Sequence, residues 1–176
     1  MPIVPDTKNW TWVLEARCPE CSFDARSVAF ADVPDLIRSN AAAWPAELAR
    51  PAVRTRPDDA TWSPLEYAAH VRDVFRTFEQ RLALLLTQET PTFPDWDQDA
   101  TAVADRYHEQ DPTVVAQEIR EAGERMASAV AAVPEGLLGR AGLRSNGSRF
   151  TVDSLTRYTL HDPIHHLHDV RGMTAS

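Results

Sequence analysis

The sequence predicts an all-α protein built as a four-helix bundle with one long crossover and an irregular N-terminal arm. Three observations predict it. Four segments carry apolar residues at three- and four-residue steps, most open on a residue able to cap a helix, and a long Pro- and Asp-rich connection divides the second from the third. The 176 residues suit one core, and 43% hydrophobic residues can fill it. The expected division is an arm over 1–31, a bundle over 32–170 and a tail over 171–176.

The arm holds three prolines, the turn Cys18-Pro19-Glu20-Cys21, and Trp10, Trp12 and Phe23, without a sustained helical period. Asp32 is placed to cap the first helix and Pro34 suits its first turn; Leu36, Ile37, Ala41, Trp44 and Leu48 then recur at helical spacing until Pro51. Ser63-Pro64-Leu65-Glu66 opens the second helix, because a Ser cap and a Glu three residues on can satisfy each other's backbone donors. Leu65, Ala68, Val71, Phe75, Phe78, Leu82 and Leu85 form its seam to about Thr87.

Residues 90–110 read as a long crossover with Phe93, Trp96 and Tyr107 as anchors, and loops of that length tend to be functional or to wrap the core. Asp111-Pro112 opens the third helix, whose stripe is Val114, Val115, Ile119, Ala122, Met126 and Val130, ending before Pro134. Gly139–Arg149 reads as a loop or short hairpin. The fourth helix begins near Thr151 or Asp153 and carries Leu155, Tyr158, Leu160, Ile164 and Leu167.

A net charge of −8 and an isoelectric point near 5.2 oppose nucleic-acid binding, which draws on a basic surface. There is no run of about 18 apolar residues and no basic-then-apolar N-terminal segment, so neither a membrane span nor a secretory leader is expected, and the expected location is the cytoplasm. A homodimer is compatible with the fold, since bundles often pair side by side.

The chemistry concentrates in His161-Asp162-Pro163-Ile164-His165-His166-Leu167-His168. His161 and His165 share a helical face at i, i+4 and can bind one metal; the plain alternative is a solvated helix end, where the macrodipole favours His. Pro163 predicts a kink between them. A third ligand has to come from upstream or from His168, and His70 is the upstream candidate, two turns into the second helix and beside the core residue Val71. Alone it reads as a core histidine, but its pairing with the late cluster favours a ligand. Cys18 and Cys21 are half of a four-cysteine zinc centre with no second cysteine pair, which favours reduced thiols or a reducible pair over a second metal site.

Two motifs, W-S-P-x-E-x-x-x-H ending at His70 and the H-x-x-x-H of His161 and His165, together with the helix order, resemble the DinB/YfiT-like metalloprotein superfamily of bacterial four-helix bundles. The resemblance covers roughly residues 32–170 and leaves the arm outside. It implies a divalent metal, zinc first and nickel as the other candidate, held by His70, His161 and His165 with open positions; His166 has no assured role in that pattern. Several members look like transferases or isomerases that use a low-molecular-weight thiol such as mycothiol, bacillithiol or glutathione. The implied activity is therefore thiol S-transfer, with the thiol presented as a metal-bound thiolate to a small-molecule electrophile.

Asp73, Asp162, Asp169 and His168 are candidates to support the ligands from behind, and Arg72 or the arginines of 140–149 are weaker candidates for an anionic thiol. The alternatives are a non-catalytic stress-response or sensing bundle that binds metal or a small ligand, and a metal-dependent hydrolase. The hydrolase reading is weakened because Asp162 stands where H-E-x-x-H would place its Glu and Pro163 interrupts the helix.

Overall fold

The computed structural model describes residues 10–173, so positions 1–9 of the expected arm and 174–176 of the expected tail lie outside the described residues. Four long helices make the bundle: α1 (Val33–Leu48), α2 (Pro64–Thr87), α4 (Pro112–Ala131) and α5 (Val152–Gly172); α3 (Gln98–Ala104) is a short helix within the crossover. Both α4 and α5 pack against α1 and α2, whereas α1 and α2 touch each other less. The consecutive helices α1 and α2 thus sit across the diagonal, whereas α2 and α4, joined by the long crossover, are packed neighbours.

The caps explain where the helices begin. Ser63 Oγ accepts the Glu66 backbone N–H while Glu66 Oε2 accepts the Ser63 N–H at 2.9 Å, and Glu66 is also clamped by Arg56. Thr151 and Ser154 make the equivalent reciprocal pair at the start of α5. Asp111 Oδ1 accepts from Thr113 and Val114, and Asp97 Oδ1 accepts from Ala100, starting α4 and α3. Asp32 does not cap as expected: a 3-10 turn over Phe30–Asp32 runs straight into α1, Asp32 is already helical, and its side chain makes no cap bond.

The core is the seam the periodicity predicts, with Ile37, Trp44, Leu65, Val71, Phe75, Leu85, Ile119 and Met126 buried. Val114 departs from it and stays 53% exposed, because α4 turns its first apolar residue to solvent. Gly123 sits where α1 and α4 come closest; a Cβ there would lie 2.5 Å from Ala41 Cβ. Helix α5 runs unbroken through Pro163, and the buried Asn40 of α1 donates to the Pro163 carbonyl at 2.9 Å while accepting from Trp44 Nε1 at 3.1 Å. The proline's cost is confined to one missing donor, without interruption of the helix.

Gly139–Arg149 is the hairpin: β2 (Ala141–Arg144) pairs antiparallel with β3 (Arg149–Thr151), and β1 (Thr92–Phe93) adds in parallel to β2. That three-stranded patch ties the crossover to the start of α5. Gly142 is required there, because a Cβ would sit 2.7 Å from the Pro91 carbonyl oxygen. The three predicted anchors are all engaged: Phe93 is buried, Tyr107 is buried with its hydroxyl donating to Asp73 Oδ2 at 2.6 Å, and Trp96 Nε1 donates to Thr101 Oγ1. The described part of the arm is three 3-10 turns, Trp10–Leu14, Ala25–Ser27 and Phe30–Asp32, laid along α5. Among the described residues no helix is long and apolar enough to cross a membrane.

Candidate metal centre

Consecutive residues of a helix point about 100° apart, since a turn takes about 3.6 residues. His161 and His165 therefore occupy one face of α5, and Asp162 and His166 the next. The packing of α5 gives each face a different partner, so the three histidines expected to converge do not. His70, from α2, meets Asp162 and His166; His161 and His165 meet Cys18 and Cys21 of the arm.

In the first group, His70 Nε2 lies 3.1 Å and His166 Nε2 3.3 Å from Asp162 Oδ1, so three donor atoms converge on one point. His70 is fully buried, with its ring stacked on Trp96 at 5.5 Å and 3° and tilted against Trp62 at 5.2 Å. Its Nδ1 is buried with no hydrogen-bond partner among the described residues. The His166 ring lies 4.7 Å from that of Tyr67, and its Nδ1 is 3.5 Å from Asp169 Oδ2, a carboxylate placed to fix the tautomer that leaves Nε2 facing the centre. Burial opposes ionisation of Asp162, but His70 and His166 beside it outweigh that and hold its carboxyl well below the usual range. The donor set of two imidazoles and a carboxylate fits a divalent metal, and three protein ligands leave positions open.

His161, Asp162, His165 and His166 all face a cavity of about 360 Å³, so both groups border it. Asp95, Trp96, Asp97 and Asp99 of the crossover form one side of it, with Arg144 of β2, Tyr158 of α5 and Trp10 of the arm also at its walls. The long crossover is thus the wall of the site, and Trp96 is the residue that joins wall and floor.

In the second group, Cys18 Sγ lies 3.6 Å from His165 Nδ1, and the donor atoms of Cys18, Cys21, His161 and His165 all lie within 4.8 Å of one another. Burial, with its own Cys18 alongside, pushes the Cys21 thiol up to about 11. Burial and the neighbouring His165 push His161 down to about 4, keeping it a neutral imidazole near pH 7.

The other expected supports scatter. Asp169 lies behind His165 and His166, at 3.6 and 3.5 Å. Asp162 lies among the donor atoms of the first group, 3.1 Å from His70 Nε2. Asp73 is engaged by Arg72, Arg76 and Tyr107. His168 is exposed and lies 3.6 Å from Asp169. Arg72 is spent on Asp73, Gln110 and Glu118, and Arg140 on the last carbonyls of α2, so of the arginines considered for an anionic ligand only Arg144 lines the cavity. Asp162 and His166 were hidden from sequence reasoning by their register: D-x-x-x-H is the same i, i+4 spacing as H-x-x-x-H, one residue on.

In the bundle, two imidazoles and a carboxylate gather beside a cavity, a donor set able to hold a divalent metal. A sequence model of the DinB superfamily matches residues 15–170, and the chain belongs to that superfamily. Among solved structures it is similar to YfiT from Bacillus subtilis, described as a probable metal-dependent hydrolase with an unusual four-helix bundle topology, at 19% identity and a TM-score of 0.64 over 79% of this chain and 86% of that one. That likeness extends to the fold. No curated protein sequence matches the chain.

Proposed function

We propose that the protein is a metal-dependent thiol S-transferase whose metal, zinc before nickel, is held by His70, Asp162 and His166. The observation that carries the reading is the convergence of His70 Nε2 and His166 Nε2 on Asp162 Oδ1 beside a cavity of about 360 Å³. A divalent metal with open positions supplies Lewis acidity, which lowers the pKa of a coordinated thiol and makes its sulfur the nucleophile.

The chain's own part is placement and charge. Asp162 contributes one negative charge, so the centre keeps a net positive charge when loaded. Asp169 orients His166, and the stacked Trp96 and tilted Trp62 fix the His70 ring. Arg144 offers the cavity a cation for an anionic part of the thiol or electrophile. Asp95, Asp97 and Asp99 at the wall disfavour ligands anionic all round. In the reaction the thiol sulfur bonds to the electrophilic carbon; its proton passes to solvent or to the product, according to whether the electrophile loses a leaving group or accepts addition.

The test is thiol consumption by zinc-loaded protein against a panel of electrophiles, with His166→Ala as control. Loss of thiol above the uncatalysed rate, absent in the control, supports the reading; no consumption with any electrophile overturns it. A hydrolase is the second reading, favoured by one observation: two histidines and a carboxylate are also the ligand set of zinc hydrolases, and the wall carries carboxylates able to act as bases. Thiol-independent cleavage of ester or amide substrates, lost in His166→Ala, would put that reading first.

A further inference from the structure

We infer that Cys18, Cys21, His161 and His165 form a second metal centre, a closed Cys2His2 zinc site that pins the arm to α5. The spacing is C-x2-C followed far downstream by H-x3-H, the ligand pattern of structural zinc. Cysteines alone gave half a site; the fold supplies the other half from the histidines that do not face His70.

The geometry has the dimensions of such a centre. Zinc holds sulfur at about 2.3 Å and imidazole nitrogen at about 2.0–2.1 Å, so tetrahedral ligation separates S and N by about 3.6 Å. Cys18 Sγ to His165 Nδ1 is 3.6 Å, and the remaining donors fall within the same small volume. His165 turns its other nitrogen, Nε2, to carboxylates: Glu20 Oε2 at 3.2 Å and Asp169 Oδ2 at 3.6 Å. Imidazoles that ligate metals are oriented in this way, and here one of the carboxylates comes from within the C-x-x-C turn itself. His161 is 5% exposed, and its buried Nε2 has no hydrogen-bond partner among the described residues, an arrangement that wastes a polar atom unless something is bound nearby.

The turn is built to present both thiols. The Ser22 N–H donates to the Cys18 carbonyl at 3.0 Å, the Cys18 N–H donates to the Phe23 carbonyl at 2.8 Å, and Ser22 takes a φ of 64° to close the loop. Trp10, Trp12 and Phe23 pack around His161, while His161 and His165 also border the cavity beside Asp162 and His166. Four protein ligands leave no open position, which makes this centre structural, and each thiol gives up its proton to solvent as the metal binds. Because Trp10 lines the catalytic cavity, pinning the arm also sets one wall of the other site.

The experiment uses the reduced, metal-free full chain titrated with cobalt(II). The wild type is expected to show a thiolate-to-cobalt charge-transfer band in the near ultraviolet with the visible bands of a tetrahedral ion. Cys18→Ser and Cys21→Ser should lose the charge-transfer band or cut it at least twofold, while His70→Ala and His166→Ala should keep it in full. Trypsin then reads the arm: cleavage after Arg17 and Arg26, both exposed, should run at least tenfold faster in chelated wild type and in the two cysteine variants than in zinc-loaded wild type, with far-ultraviolet circular dichroism showing the bundle intact. Absence of a sulfur band in the reduced wild type, or its survival in both cysteine variants, overturns the site. Equal cleavage rates with and without metal overturn its structural role. Failure of either leaves thiol transfer at His70, Asp162 and His166 to stand or fall on its own assay.

Discussion

Glu66→Gln tests how much the cap of α2, the helix that carries His70, contributes to the stability of the fold. The Glu66 side chain is 3% exposed and accepts from the Ser63 N–H, the Ser63 hydroxyl and the Nε and Nη2 of Arg56. Glutamine keeps the shape, but its NH2 has to face one of those donors, and Arg56 loses its counter-charge. Hydrogen bonds to charged groups contribute about 1.5–3 kcal/mol, and breaking one side of a buried pair costs about 3–5 kcal/mol. Arg56 is 23% exposed and regains some hydration, so the expected loss is about 2–3 kcal/mol. At about 2–4 °C per kcal/mol for a chain of this size, Tm should fall by about 4–12 °C. Urea unfolding should show a lower midpoint with unchanged slope.

The pH dependence of that loss has a fixed sign. Burial raises the Glu66 pKa, but Arg56 and the Ser63 bonds outweigh it and the folded value lies below the ordinary 4.5. A depressed carboxyl stabilises the fold above its unfolded pKa and loses that contribution as pH falls through the folded one. The gap between wild type and Glu66→Gln should therefore be full at neutral pH and begin to close below about pH 4.5. A difference under about 0.5 kcal/mol at pH 7, or one that does not shrink on acidification, would refute the reasoning.

Gly123→Ala should destabilise by about 1–3 kcal/mol in urea, because the new methyl overlaps Ala41 where α1 and α4 meet. Tyr107→Phe removes the 2.6 Å bond to Asp73, which keeps Arg72 and Arg76; a loss of about 1–2 kcal/mol is expected, with far-ultraviolet circular dichroism unchanged. Trp96→Ala strips the stacked ring from His70 and opens the cavity wall, so metal affinity, followed by competition with a chromophoric chelator, should fall about tenfold or more while global stability changes less than for Gly123→Ala.

Much of the fold was legible because its signals are local. Ser63 with Glu66, Asp111 with Pro112, and the seam from Leu65 to Leu85 each need only a few neighbouring residues to be read. Asp32 misled because the chain enters α1 already helical, leaving no N–H for its carboxylate to accept. Helix α3 was missed because seven residues give almost no periodicity, although Asp97 caps it. The site was legible as a region and not as a ligand set. His70 and the histidine cluster were identifiable from residue type and spacing, but which face of α5 looks at α2 depends on a rotation of about 100° that only packing fixes. The same rotation hid the partnership of Cys18 and Cys21 with His161 and His165, since the four are separated by more than a hundred residues of chain.

The most direct test of the account is zinc per chain, by elemental analysis of untagged, reduced protein, for wild type, His166→Ala, His161→Ala and the double variant. Two separate centres predict about two, one, one and none, with thiol transfer lost in His166→Ala. A single centre built from His70, His161 and His165 predicts about one in wild type, one in His166→Ala and none in His161→Ala, and that result would contradict the assignment of both sites.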